Sequence, residues 1–66
     1  MEIYNMTYEF DIAWDFDFNQ MIFYINIFNL NIEKYTKIGP AGGNQNFIVS
    51  GNPDNINQFI NYIQSI

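Results

Sequence analysis

From Tyr4 to Phe18 every even-numbered position is apolar: Tyr4, Met6, Tyr8, Phe10, Ile12, Trp14, Phe16 and Phe18. The odd positions between them are Asn5, Thr7, Glu9, Asp11, Ala13, Asp15 and Asp17. A side-chain period of two belongs to an extended strand, so the stretch reads as a ribbon with one aromatic face and one acidic face. Run straight, it would span about 50 Å at ~3.3 Å per residue. A compact chain of this length has a radius of gyration of only about 11 Å. The ribbon must therefore bend, break or project onto a partner, and the crowded acids mark Asp15–Asn19 as the break. Asn19-Gln20 then reads as a short reversal.

A second strand is expected from Met21 to about Ile32, rich in Ile and Phe. Its phase slips: Phe23, Ile25 and Ile27 keep one parity, Phe28, Leu30 and Ile32 the other. Adjacent apolar residues at Ile27-Phe28 are the mark of a β-bulge or of a strand buried on both faces. Glu33 to Lys37 is polar and ends that strand, and Gly39-Pro40-Ala41-Gly42-Gly43-Asn44 is a loop. A short third strand follows over Asn46–Ser50, with Phe47 and Val49 in phase, and Gly51-Asn52 breaks it. The last segment predicts a helix: Asn52 can cap it, Pro53 fits its first turn and Asp54 suits its positive end. Ile56, Phe59, Ile60 and Ile63 recur there at helical spacing, with Asn57, Gln58, Asn61 and Gln64 off the stripe. The expected fold is α+β, a single two-layer βββα domain over residues 1–66. In it a three-stranded, mainly antiparallel sheet is covered by one C-terminal helix.

The run from Ile38 onward resembles a pattern of small bacteriophage proteins: Gly-Pro-Ala-Gly-Gly-Asn, a short strand, a Gly-containing turn and a C-terminal helix with a Phe. Gly39, Pro40, Ala41, Gly42, Gly43, Asn44, Phe47, Gly51, Ile56, Phe59 and Ile60 carry the resemblance. It covers nearly half of the chain. It departs at Gln45, where the pattern often has Pro. The resemblance implies a phage origin and brings no activity with it.

Composition narrows the chemistry. Sixty-six residues make a thin core, and the absence of Cys removes both disulfide staples and zinc–thiolate sites. The absence of His removes the usual general base and metal ligand. Seven acids stand against two lysines and no arginine, a net charge of −5. AT-rich coding explains the many Asn and Ile residues but would also supply Lys, so the shortage of cations reads as selected. Phosphate-backbone binding needs Lys and Arg, so no direct nucleic-acid partner is expected. The longest apolar run, Met21 to Ile25, falls far short of the ~20 residues that span a bilayer. No membrane partner is expected, and the host cytoplasm is the expected location.

Four acids form the first candidate site: Glu9, Asp11, Asp15 and Asp17. Alternating acids on one strand face share one environment, whereas acid–base catalysis needs environments that differ, so the chain is read as no enzyme. Asp15-Phe16-Asp17-Phe18-Asn19 copies the start of a calcium loop, but Gln20 stands where Gly is needed and Asn26 where Glu is needed. No metal or cofactor is expected. Carboxylates ~6.5–7 Å apart on a strand approximate the spacing of nucleic-acid phosphates, so the row suits capture of a host protein with a basic surface. A row of acids also serves as a plain solvated face. The favoured expectation is a non-enzymatic phage-type protein that binds and inhibits such a host protein.

The second candidate is Lys37 with Gly39, Gly42, Gly43 and Asn44, whose backbone N–H groups could cradle an anion. This would make the chain an oligomeric sponge for a small nucleotide or phosphate; the same loop is otherwise a tight reversal. A third expectation is a structural subunit of an assembly. One helix stripe cannot cover both the ribbon and two phases of a second strand, which predicts a homodimer or larger oligomer joined through the ribbon or a sheet face.

Overall fold

The structure, a computed structural model, describes residues 5–37 and 43–65. Its elements are β1 (Met6–Ile12), α1 (Phe18–Ile27), β2 (Asn31–Lys37), β3 (Gln45–Gly51) and α2 (Pro53–Gln64). The strands form one sheet in the order β1-β3-β2, with β3 central and antiparallel to both neighbours. The α+β class, the single antiparallel sheet and the C-terminal helix are as the sequence predicts. A second helix joins them. Because β1 and β2 both oppose β3, they are parallel to each other, and α1 is the crossover between them. β3 then fills the gap they leave, a split βαβ arrangement.

The element between the first and second strands corrects the sequence reading. Met21–Ile27 is helical, Asn19-Gln20 lies inside the helix instead of reversing the chain, and β2 begins only at Asn31. The register irregularity sits between Ile32 and Lys34, not at Ile27-Phe28. The polar run Glu33–Lys37 is most of a strand instead of its end. Local chemistry explains the helix. The Asp17 carboxylate accepts from Asn19 N at 2.9 Å and caps the first turn. Phe18, Met21, Ile25 and Phe28 then fall at spacings of three and four, and Met21 and Ile25 are buried.

At the other end Asn29 takes a positive φ of 58°. Its N–H donates to Asn26 O, and Leu30 N–H donates to Ile25 O. This pair of bonds is a Schellman motif, and the buried Ile25 and Leu30 supply its apolar contact.

β1 is shorter than the ribbon. It stops at Ile12, and the Phe16 N–H to Ala13 O bond turns the chain before Asp17. α2 starts as expected: Asn52 Oδ1 accepts from Asp54 N at 2.8 Å and Pro53 opens the helix. Both helices lie on one side of the sheet. The core between them holds Phe10, Phe47 and Val49 of the strands, Met21, Ile25 and Leu30 around α1, and Ile56 and Phe59 of α2. An aromatic seam joins the helices, Phe28 to Phe59 and Tyr62, and Tyr24 to Tyr62, with centroids 5.1–5.8 Å apart.

Gln45 is the one inward position of β3 that carries a polar side chain, and it is 3% exposed. Its Nε2 donates to Ala13 O at 3.0 Å and Phe16 O at 2.9 Å, with a longer 3.4 Å contact to Trp14 O. Its Oε1 accepts from the Tyr35 hydroxyl at 2.8 Å. The central strand thus holds the β1–α1 turn from below and ties it to β2.

Candidate functional site

With both helices on one side, the opposite face of the sheet stays open. β1 sends Thr7, Glu9 and Asp11 to it, because the even positions of the strand face the core. β3 sends Asn46, Ile48 and Ser50. From β2 come Asn31, Lys34 and Thr36, which pair with Ser50, Ile48 and Asn46. The irregularity at Glu33 turns that carboxylate to the same face, where Ser50 Oγ donates to Glu33 Oε2 at 2.6 Å.

The two strand acids are held in place. Asn46 Nδ2 donates to Asp11 Oδ1 at 2.6 Å and to Glu9 Oε2 at 3.0 Å. Asp11 lies directly opposite Asn46 in register, and Glu9 reaches it diagonally. One amide therefore uses both of its hydrogens to fix two neighbouring carboxylates. Each carboxylate has two oxygens and about four acceptor positions, so most of their acceptor capacity faces solvent. Glu9, Asp11 and Glu33 thus form a polar face with fixed acceptors and Ile48 at its centre.

The continuous acidic row does not form. Glu9 and Asp11 stay together on β1, but Asp15 lies in the turn and Asp17 spends its carboxylate on the α1 cap. The physical reason is the early end of β1, which breaks the two-residue alternation after Ile12. Among the described residues no cluster of three or more Cys, His, Asp or Glu side chains is placed to hold a metal.

Lys37 ends β2 opposite Gln45, and Gly43 and Asn44 lead into β3. Gly39 and Gly42 lie outside the described residues. Glu33, Asn46 and Ser50 escaped the sequence reading. For Asn46 and Ser50 the visible signal is their alternation, with Ile48, against the buried Phe47 and Val49; Glu33 has none, because it sits at the irregularity of β2.

A cleft of about 360 Å³ lies between the end of β1, the turn that follows it, Met21 of α1 and Ile63 of α2. Phe10, Asp11, Ile12, Ala13, Phe16, Met21 and Ile63 line it. This lining is mostly apolar and its one charged residue is an acid, so it does not suit a phosphate group. No helix among the described residues is long and apolar enough to cross a membrane. Compared with known proteins, the chain matches no family model, no curated protein and no solved structure.

Proposed function

We propose that this protein is a non-enzymatic binding module that captures, and so inhibits, a host protein through a basic surface patch of that partner. The acceptor is the open sheet face with Glu9, Asp11 and Glu33. One observation carries this reading: the carboxylates are anchored by β3, Glu9 and Asp11 through Asn46 and Glu33 through Ser50, while their remaining lone pairs face solvent. Fixing an acceptor in advance lowers the ordering cost of a charged interface. Each carboxylate can take the fork of an arginine, and two at i, i+2 spacing can take a pair of cations. Glu9 and Asp11 share a donor and a solvated surface, which favours recognition over proton transfer. The phage origin implied by the loop resemblance supplies the host context. Asp15 and Asp17 of the original four contribute only to the surrounding field.

The test is capture from bacterial lysate with the wild-type chain and with a Glu9→Gln/Asp11→Asn/Glu33→Gln triple variant, over a range of ionic strength. Exposed charges are screened over ~8–10 Å at physiological salt. Binding should therefore fall steeply as salt rises and be lost in the triple variant. A partner retained equally by both chains, or insensitive to salt, overturns the proposal.

A further inference from the structure

The two helices differ on their outer sides. α2 shows Asn57, Gln58, Asn61 and Gln64 to solvent. α1 shows Phe23 and Ile27, one turn apart on the side away from Met21 and Ile25, 61% and 57% exposed. Both helices come from the same Asn- and Ile-rich chain, so composition does not account for the difference. Phe23 and Ile27 thus form an exposed apolar pair on a face whose other residues are the amides Asn19, Gln20 and Asn26, and an apolar pair set side by side on a helix face is a contact surface.

We infer that the outer face of α1 is covered by α1 of a second copy of this chain, forming a two-fold dimer. Charge identifies the occupant. In an isologous contact each patch meets its own copy, so like charges face each other. The chain carries −5, yet none of the ten residues of α1 is charged. The open sheet face, by contrast, carries three acids, Glu9, Asp11 and Glu33, against one cation, Lys34, and its net negative charge would repel its own copy. The flanks of the α1 patch are Asn19, Gln20 and Asn26, amides that both donate and accept and can pair with their own kind. A lipid surface fits poorly, because α1 offers no Lys or Arg beside its apolar pair.

The geometry has a consequence that rests on the proposed function. α1 lies on the side of the sheet opposite the open face, so the dimer directs two acidic faces outward and becomes bivalent. The interface also differs from the expected ribbon or sheet-face packing.

Sedimentation velocity and light scattering from micromolar to near-millimolar chain test the dimer without any partner. The wild type should show twice the mass of the 7.8 kDa chain. Phe23→Asn/Ile27→Asn should show the single mass with an unchanged circular dichroism spectrum, and Asn61→Asp on α2 should remain dimeric. Because the chain has no Cys, a short bismaleimide should link Ile27→Cys or Phe23→Cys chains in pairs and leave Asn61→Cys unlinked. A wild type that stays monomeric throughout overturns the inference. So does a double variant that remains dimeric, or cross-linking no better at α1 than at α2. Loss of lysate capture with the dimer intact would instead count only against the acidic-face reading.

Discussion

Replacing Gln45 by Leu removes a polar anchor while keeping nearly the same volume. The wild-type side chain makes two good bonds to Ala13 O and Phe16 O and accepts a third from Tyr35. At about 0.5–1.5 kcal/mol per bond, the direct loss is about 1.5–4.5 kcal/mol. Ala13 O keeps its bond from Phe16 N and sits on an exposed residue, so water can replace part of what it loses. Phe16 O is left against an apolar side chain, while the Tyr35 hydroxyl, on an exposed residue, can turn to water. We therefore expect a destabilisation of about 2–3 kcal/mol. A chain of this length has roughly 3–10 kcal/mol in total at 0.05–0.15 kcal/mol per residue. Urea unfolding followed by Trp14 fluorescence reads the anchored turn itself, and circular dichroism reads the whole fold. With a slope of about 1 kcal/mol/M the midpoint should drop by about 2 M or more. Gln45→Glu sharpens the test. A carboxyl among carbonyl oxygens must keep its proton to donate, so its folded pKa lies above the unfolded value of ~4.3. Relative to wild type, that variant should be most stable below ~4.3 and lose stability as pH rises through the higher folded pKa. A Gln45→Leu midpoint equal to wild type, or a Gln45→Glu deficit independent of pH, refutes the anchoring argument.

The remaining predictions concern neighbouring devices of the fold. Asn29→Val should cost about 1–2 kcal/mol, because a β-branched residue resists the left-handed backbone that Asn29 adopts, whereas Asn29→Gly should be neutral or stabilising in thermal melts. A Cβ at Gly51 would lie 2.6 Å from Leu30 Cδ2, so Gly51→Ala should cost about 1–3 kcal/mol, and a double-mutant cycle with Leu30→Ala should show partial relief. Phe59→Ala should cost about 3–5 kcal/mol, a large share of the total, and lower the thermal midpoint read by far-ultraviolet circular dichroism. The Tyr62 phenol is held above the usual tyrosine range, first by the neighbouring Tyr24 side chain, whose ring meets it edge-on with centroids 5.1 Å apart, and then by desolvation. The stability this contributes is complete below ~10 and is lost as pH rises beyond it. In ultraviolet titration of Tyr24→Phe, Tyr62 should therefore ionise at lower pH than in the wild type.

Three parts of the fold could be read directly from residue order. β1 announces itself by strict alternation, β3 by Phe47 and Val49 between polar neighbours, and α2 by its cap, its Pro and its four-residue stripe. These signals are local: each depends on a period and a terminus that a short window contains. The solvent-facing placement of Glu9 and Asp11 follows from the same alternation. α1 was hidden because Met21-Ile22-Phe23-Tyr24-Ile25 is apolar at every position and so has no period of its own. Its helical state depends on the Asp17 cap, the Asn29 turn and burial of Met21 and Ile25 against the sheet. β2 was hidden for the opposite reason. As an edge strand with exposed residues throughout, it has no apolar rhythm, and pairing with β3 is what makes it a strand. Cross-strand register alone brings Asn46 to Glu9 and Asp11, Ser50 to Glu33, and Gln45 to the turn. Those partners are 17 to 37 residues apart along the chain. No local pattern encodes such separations, because they are set by how three strands align once the core has closed.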